Sequence, residues 1–294
     1  MEPLERANDV VEQQLGDRLV ALEQQLGADF LVLSGPLTPQ IDELVRETVE
    51  KRPPTPKAKK LAVILETDGG YVGAVERMAR LFSRHYRETE YIIPNHAFSA
   101  GTVLAMSGTR IYMDYFSVLG PIDPQVLRRG RSVPASGYLV QYERLIEKSK
   151  TGKLTEAELH YLITNFDPAE LYRYEQEKEL TKTLLIEWLS ESNLVDWSSL
   201  RSAGKRVTKK RREARATKIA EALGNTECWH SHGRGISMEV LRRIIGLVIE
   251  DLEEDTALND LVRSYYTLLR DYMIRLGSGI VLHVKGSYRQ WRVS

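Results

Sequence analysis

Two short segments of the chain combine residue types that can carry out acyl transfer. Thr67-Asp68-Gly69-Gly70 follows an apolar run, and Ser99 begins a stretch of small residues. Glycines let backbone N–H groups approach a ligand because no Cβ blocks the way. A serine at the start of a helix has its hydroxyl, and the N–H of Ala100, at the positive end of the helix dipole. A serine oxygen beside backbone donors forms the core of an acyl-transfer site.

Each of these features also has a purely structural interpretation. Gly-Gly after a strand often makes only a turn. Ser99 would satisfy a helix N-terminus as an ordinary N-cap. The residues alone leave both interpretations open.

An alternation of strands and helices positions these segments. Apolar runs predict strands at 30–35, 61–66, 90–94 and 110–114. Helical spacing predicts helices between them at 38–51, with Thr38 as N-cap, at 72–86 and at 99–108. Such alternation is typical of an α/β fold with a mostly parallel sheet, in which the loops at the carboxyl ends of the strands meet at one edge. The segments 67–70, 99–102 and 119–124 would then lie together.

After Pro134 the pattern becomes helical. Helices are predicted at 137–150, 155–164, 168–192, 208–223, 237–253 and 256–276, and a small hairpin at 279–293. The chain therefore divides into an N-terminal amphipathic helix (1–27), an α/β core (28–192) and a helical C-terminal extension with a terminal β-hairpin (193–294). Leucines form an apolar stripe on the N-terminal helix, which must bury against the core or a partner subunit. The stripe and the apolar faces of the later helices predict a homo-oligomer.

Composition excludes several classes of protein. The 294 residues carry 41 Lys and Arg against 41 Asp and Glu, so a chain that coats nucleic acid is not expected. The basic run 204–215 is interpreted as a solvated helix face. A single cysteine, Cys228, excludes a disulfide framework and a zinc site made mainly of thiolates. We expect no metal site.

Hydropathy predicts the compartment. No run of apolar residues approaches the length of a membrane span, and residues 1–26 lack the apolar centre of a signal peptide. The expected protein is cytoplasmic, with no integral membrane segment.

Three segments resemble a known family: ETDGGYVGAVERMA, HAFSAGTVLAMSGTRIYM and SVLGPIDPQ. They are similar to the Clp/crotonase superfamily, in particular to the serine dehydrogenase proteinase (Clp-fold serine proteinase) family, which is related to signal peptide peptidase A. WHSHGRGIS at 229–237 resembles the C-terminal motif of the same family. The resemblance implies a Clp/crotonase-like spiral core of mostly parallel strands and helices, with an added helical C-terminal region. It also implies a polypeptide substrate, homo-oligomeric assembly and no cofactor.

The resemblance assigns roles to particular residues. Ser99 would be the nucleophile. The N–H groups of Gly70 and Ala100, helped by Gly69, would form the oxyanion hole. The Clp proteolytic subunit has a histidine downstream of its serine, but this chain has Asp123 near that slot.

Signal peptide peptidases use a lysine further downstream as the general base. The corresponding stretch begins with Arg128, Arg129 and Arg131, which cannot accept a proton. The next basic residues are Lys148, Lys150 and Lys153.

Helical periodicity ranks these candidates for the base. Lys150 follows Ile146 and Tyr142 on the apolar side of its predicted helix, so it is expected to be buried and is preferred. Lys148 on the polar side comes second. His232, in the motif at 229–237, comes third.

The predicted function is an ATP-independent serine endopeptidase of the Clp/signal-peptide-peptidase-A type that forms an acyl-enzyme on Ser99. No GxxxxGK[ST] motif is present to supply ATP-driven unfolding. The alternatives are a catalytically inactive Clp-fold scaffold or peptide-binding protein, and a crotonase-type acyl-thioester enzyme.

Overall fold

A computed structural model describes residues 6–51, 60–123, 125–128, 131–194, 207–229, 231 and 233–292. The chain is mixed α/β with a mostly parallel central sheet, which confirms the predicted fold class. The strands are Asp29–Ser34 (β1), Lys60–Glu66 (β2), Glu88–Ile92 (β3), His96–Ala97 (β4), Arg110–Met113 (β5), Val118–Leu119 (β6), Gln125–Arg128 (β7), Arg131–Pro134 (β8), Ile236–Ser237 (β9), Glu250–Asp251 (β10), Ile280–Val284 (β11) and Ser287–Trp291 (β12).

The helices of the described residues alternate with these strands in the first half and dominate the second. They are Ala7–Leu26 (α1), Ile41–Glu50 (α2), Val72–His85 (α3), Ala100–Ala105 (α4), Ala135–Lys150 (α5), Glu156–Asn165 (α6), Pro168–Glu191 (α7), Lys209–Leu223 (α8), Thr226–Trp229 (α9), Met238–Val240 (α10) and Thr256–Leu276 (α11).

The central sheet has the order β10-β5-β3-β2-β1-β11-β12. Strands β10, β5, β3, β2 and β1 run parallel, while β11 and β12 form the predicted C-terminal hairpin and join β1 antiparallel. A second, small sheet has the order β4-β6-β9 and lies beside the Ser99 segment. Strands from residues 28–192 and from residues 193–294 therefore occur together in each of these two sheets, while β7 and β8 pair in a third.

Two apolar layers cover the central sheet. On one side, α1 and α11 pack together against residues such as Phe30 and Val32 of β1. On the other side, the core gathers residues of α2, α3, α4, α7 and α8. Leu15, Leu19 and Leu22 of the N-terminal stripe are fully buried in the first layer. The stripe is therefore covered by this chain itself, and it no longer argues for a partner subunit.

Two predicted helices are corrected by backbone geometry. Helix α2 begins at Ile41 with Gln40 in the left-handed region (φ 83°) as its N-cap, so Thr38 does not cap it. The predicted helix 237–253 ends early, because a π-turn at Leu241–Ile245 stops at Gly246 (φ 78°). The left-handed φ of Gly246 is a conformation that glycine adopts without steric cost and that other residues rarely adopt. The chain then extends into β10 at the sheet edge.

Candidate active site

The two chemically promising segments lie side by side. Segment 67–70 leaves the carboxyl end of β2, and β4 leads directly to Ser99. The Thr67 N–H donates to the His96 carbonyl oxygen (3.1 Å), and the Phe98 N–H donates to the Thr67 carbonyl oxygen (2.9 Å). These bonds hold the glycine pair next to the start of α4, as the edge rule for parallel sheets predicts.

Ser99 has an unusual backbone conformation. Its φ of 51° and ψ of −119° place a non-glycine residue outside the common regions, immediately before helix α4. Its side chain makes no capping hydrogen bond to α4, so the N-cap interpretation is wrong. Such strain costs on the order of 1–3 kcal/mol and occurs preferentially at functional sites. A serine in a strained strand-to-helix turn is also the arrangement that exposes a nucleophilic hydroxyl.

Gly69 lies directly behind Ser99. Its φ is 102°, and a Cβ at this position would lie 2.7 Å from the Ser99 Cβ and 2.8 Å from the Phe98 carbonyl oxygen. Its N–H donates to the Thr67 hydroxyl (3.0 Å). The prediction that the Gly69 N–H helps to form the oxyanion hole is therefore wrong, because that donor is already engaged. Gly69 instead permits the two segments to approach.

Gly70 and Ala100 both line the cavity that contains Ser99. Within the described residues, neither N–H donates to a protein acceptor. Leu37 fixes the first of them: its N–H donates to the Gly69 carbonyl oxygen (2.8 Å), and its carbonyl accepts from Tyr71 (2.7 Å). A Cβ on Gly70 would lie 2.3 Å from the Leu37 carbonyl oxygen. Two available amides beside a serine are what oxyanion stabilisation requires.

A cavity of about 700 Å³ contains Ser99 together with Gly70 and Ala100. Its apolar wall comes from α3, α4, α7 and the segment after β6. The apolar side chains that line it are Val72, Val103, Ile122 and Leu180. Asp68 and Glu177 are the acidic side chains of this lining, and no basic side chain of the described residues contributes to it.

The third motif, 119–124, is tied to the same helix. The Thr102 hydroxyl donates to the carbonyl oxygens of Ala97 (2.7 Å) and Gly120 (2.9 Å), and it accepts from the Gly120 N–H (3.0 Å). Thr102 is fully buried. The Ser-Ala-Gly-Thr and Leu-Gly-Pro-Ile-Asp motifs are therefore joined through one hydroxyl, and Ile122 extends from this junction into the cavity wall.

The predicted burial of Lys150 is wrong. Its side chain is 63% exposed, and its Nζ lies 2.6 Å from Glu147 Oε1. Lys148 is 52% exposed and pairs with Glu158 at 2.5 Å. The buried side chains of α5 end at Leu145, so the last turn of the helix extends past its core into solvent. Neither lysine lines the cavity that contains Ser99.

The other predicted base candidates have different outcomes. His232 lies outside the described residues. Asp123 is buried and lines a neighbouring cavity of about 400 Å³, which shares Ile122 and Thr181 with the first.

Sequence reasoning missed two groups at the site. His96 lies three residues before Ser99, and its Nε2 is 3.1 Å from Asp68 Oδ1. The HAFSAGT and TDGG motifs contained this pair, but only the pairing of β4 with segment 67–70 brings them together. The wall contributed by Glu177 and Thr181 of α7 was also missed, because nothing in an amphipathic helix indicates which cavity it covers.

A serine in a strained strand-to-helix turn on an α/β sheet is an arrangement that serine hydrolases use. Residues 38–155 match the family described as ClpP-like SDH-type serine proteinase. This segment contains Gly69, Gly70 and Ser99, and the match confirms the family resemblance that the motifs predicted.

Two uncharacterized proteins of Methanocaldococcus jannaschii are similar in sequence. One is 33% identical over 140 residues, which are 47% of this chain and 46% of that protein. The other is 42% identical over 71 residues, which are 24% of this chain and 25% of that protein. The chain thus spans between a quarter and about half of the length of these curated relatives.

Solved structures of proteases are distant neighbours. The 1510-N membrane-bound stomatin-specific protease, in complex with a substrate peptide, is 14% identical at a TM-score of 0.40, with 85% of this chain and 79% of that chain covered. The ClpP protease catalytic domain from Plasmodium falciparum is 10% identical at a TM-score of 0.28, with 40% and 63% covered.

Metal-ligand clusters and membrane-spanning helices are both absent from the described part of the chain. No group of three or more His, Cys, Asp or Glu side chains is arranged to hold a metal ion there. No helix of that part is long and apolar enough to cross a membrane.

Proposed function

We propose that the chain is an ATP-independent serine endopeptidase in which Ser99 forms an acyl-enzyme with a polypeptide substrate. One observation carries this proposal: Ser99 is held at positive φ, makes no capping bond, and shares its cavity with two backbone amides that have no protein acceptor in the described residues. The ClpP-like family match over residues 38–155 supports it.

In the proposed reaction, the Ser99 hydroxyl oxygen attacks the scissile carbonyl carbon, and its proton passes to a general base. The Gly70 and Ala100 N–H groups stabilise the negative charge that develops on the carbonyl oxygen. The C–N bond then breaks, and the base returns the proton to the leaving amine. Water hydrolyses the Ser99 ester by the same steps and regenerates the hydroxyl.

The base is proposed as His232. Lys148 and Lys150 are exposed and paired with glutamates, so neither has the apolar surroundings that activate a lysine. A histidine needs no such setting. Ile236, four residues after His232, lies in β9, which pairs with β6 and so with the strand that leads to Ser99.

The variants His232→Ala and His96→Ala test this assignment as a matched pair. We expect the first to lose reaction with a fluorophosphonate and the second to retain it. Loss in His96→Ala alone would move the proton acceptor to the histidine that pairs with Asp68.

The test of the function is hydrolysis of an unfolded polypeptide by the full chain. Wild type should cleave it without ATP, and Ser99→Ala should not. Undiminished hydrolysis by the Ser99→Ala variant would overturn the proposal.

A peptide-binding protein that lacks catalysis is the second candidate. It is favoured by the exposure of both predicted lysines and by their absence from the cavity lining. A wild-type chain that binds an unfolded polypeptide but neither cleaves it nor reacts with a fluorophosphonate would establish this alternative.

Homo-oligomeric assembly is also proposed, on a different surface from the N-terminal stripe. Helix α6 has no buried residue, and Leu159, Tyr161 and Ile163 on it are exposed. Light scattering at micromolar concentration should give a mass above 33.6 kDa. A monomer would contradict this proposal.

A further inference from the structure

A buried carboxylate lies at the base of the candidate active-site loop. Glu66 is the last residue of β2 and is 4% exposed, and the Thr67-Asp68-Gly69-Gly70 segment follows it directly. A buried charge is costly unless hydrogen bonds and opposite charges compensate it. Its partners therefore determine where this end of the strand can lie.

Three hydrogen bonds and one ion pair compensate the Glu66 carboxylate. Oε1 accepts from the Asn95 side-chain amide (2.9 Å) and from the Tyr266 hydroxyl (2.5 Å). Oε2 accepts from the Ser34 hydroxyl (3.1 Å) and lies 3.6 Å from the Arg270 guanidinium. His96 Nδ1 is 3.8 Å from Oε1. Both oxygens thus have partners.

These partners come from separate parts of the chain. Ser34 ends β1, and Asn95 precedes the strand that leads to Ser99. Tyr266 and Arg270 lie one turn apart on α11, about two hundred residues later in the sequence. Arg263, one turn earlier on the same helix, donates to the Pro94 carbonyl oxygen (2.9 Å) and pairs with Asp114.

The C-terminal helix is therefore bonded to both segments of the site. Through Glu66 it contacts the start of residues 67–70, the glycine loop. Through Pro94 it contacts the segment before β4. Hydrogen bonds from Tyr266 and Asn95 meet on a single oxygen atom, so a shift of α11 would move the two segments relative to each other.

We propose that Glu66 and Tyr266 are positioning residues, through which helix α11 holds the glycine loop against the Ser99 segment. The inference rests on the proposed function, because its consequence is the reactivity of Ser99. Neither residue lines the cavity, so they act through the loop and not on a substrate.

Helix α11 contains its own matched control. The Tyr272 hydroxyl donates to Glu12 Oε1 (3.0 Å) on α1, far along the helix from the site loop. Tyr266→Phe and Tyr272→Phe are the same substitution on the same helix, and each removes one phenol-to-carboxylate hydrogen bond. Only the first of these carboxylates adjoins the loop 67–70.

The experiment measures fluorophosphonate labelling rates of the full chain in both variants, together with their thermal unfolding. We expect labelling of Tyr266→Phe to be slower by about tenfold or more, since a lost hydrogen bond to a charged group typically corresponds to such a factor. Tyr272→Phe should label at the wild-type rate, although its unfolding temperature should fall by about as much as that of Tyr266→Phe. Equal labelling by the two variants would overturn the proposal.

Hydrogen exchange gives a second readout that needs no catalysis. Amides of 67–70 and 95–100 should exchange faster in Tyr266→Phe and remain as in wild type in Tyr272→Phe. If wild type does not label, the proposed function fails while hydrogen exchange still decides the positioning role. Unchanged exchange at both segments in Tyr266→Phe would refute it.

Discussion

The loops around Ser99 and the last turn of helix α5 differ in how tightly their residues are held. At the loops, a Cβ on Gly69 would lie 2.7 Å from the Ser99 Cβ and 2.8 Å from the Phe98 carbonyl oxygen, and Thr67 is completely buried. On α5, Lys148 and Lys150 extend into solvent and pair with Glu158 and Glu147. Exposed ion pairs typically contribute only about 0–1 kcal/mol. Geometry that can support chemistry is therefore concentrated in the loops.

The difference shows what each kind of sequence signal can predict. The loop residues are constrained by backbone contacts between adjacent strand ends, and short motifs encode such contacts directly. A side chain on a distant helix reaches a site only through tertiary packing. Its periodicity indicates an apolar side of the helix, but it does not indicate where the underlying core ends.

The substitution Gly69→Ala should have the largest effect. A Cβ would meet the Ser99 Cβ at 2.7 Å, and the backbone φ of 102° disfavours alanine. Displacing the reacting atoms by about 1 Å can cost on the order of a hundredfold in rate, so labelling should fall by about that factor.

The matched control for that substitution is a glycine of helix α5. Gly137 lies in α5, and a Cβ there meets no atom within 4 Å. Gly137→Ala should keep wild-type labelling and stabilise the fold by about 0.5–1 kcal/mol. If Gly69→Ala labels as fast as Gly137→Ala, the close contact between Gly69 and Ser99 does not control the reactivity of Ser99.

Thr67→Val should have an intermediate effect. The substitution keeps the shape of a buried side chain but removes the acceptor of the Gly69 N–H. An unsatisfied buried donor costs about 1–3 kcal/mol, and we expect labelling to slow by about tenfold. Thr151→Val removes an exposed hydroxyl bond at the end of α5 and serves as the control. Chemical denaturation of both variants separates loss of folding from loss of reactivity.

The smallest effects are expected on α5 itself. Lys150→Ala and Lys148→Ala should change labelling by less than about twofold and stability by less than about 1 kcal/mol, as exposed pairs do. A pH profile of labelling in each variant makes the comparison complete. Abolished labelling in either variant would mean that this helix does supply the general base.

The sequence was sufficient for much of the fold. Strands β1, β2, β3 and β5 were predicted within two residues at each end, because their apolar runs are buried on both faces of a parallel sheet. Strand β10 was missed, because the left-handed Gly246 interrupts a pattern that is otherwise helical.

For the site, the motifs indicated Ser99 and the glycines but not the interactions around them. The engagement of the Gly69 N–H depends on the Thr67 rotamer. The Glu66 network depends on α11, about two hundred residues away in sequence. Such long-range partners leave no local signal in a single sequence.

Reaction of Ser99 with a fluorophosphonate, followed by peptide mapping, tests the central claim most directly. Ser83 on α3 is a control serine, because it is exposed and donates its hydroxyl to the Arg80 carbonyl oxygen (3.0 Å). The account predicts one adduct, on the peptide that contains Ser99, in wild type and in Ser83→Ala, and none in Ser99→Ala. An unlabelled wild type, or an adduct that persists in Ser99→Ala, would contradict it.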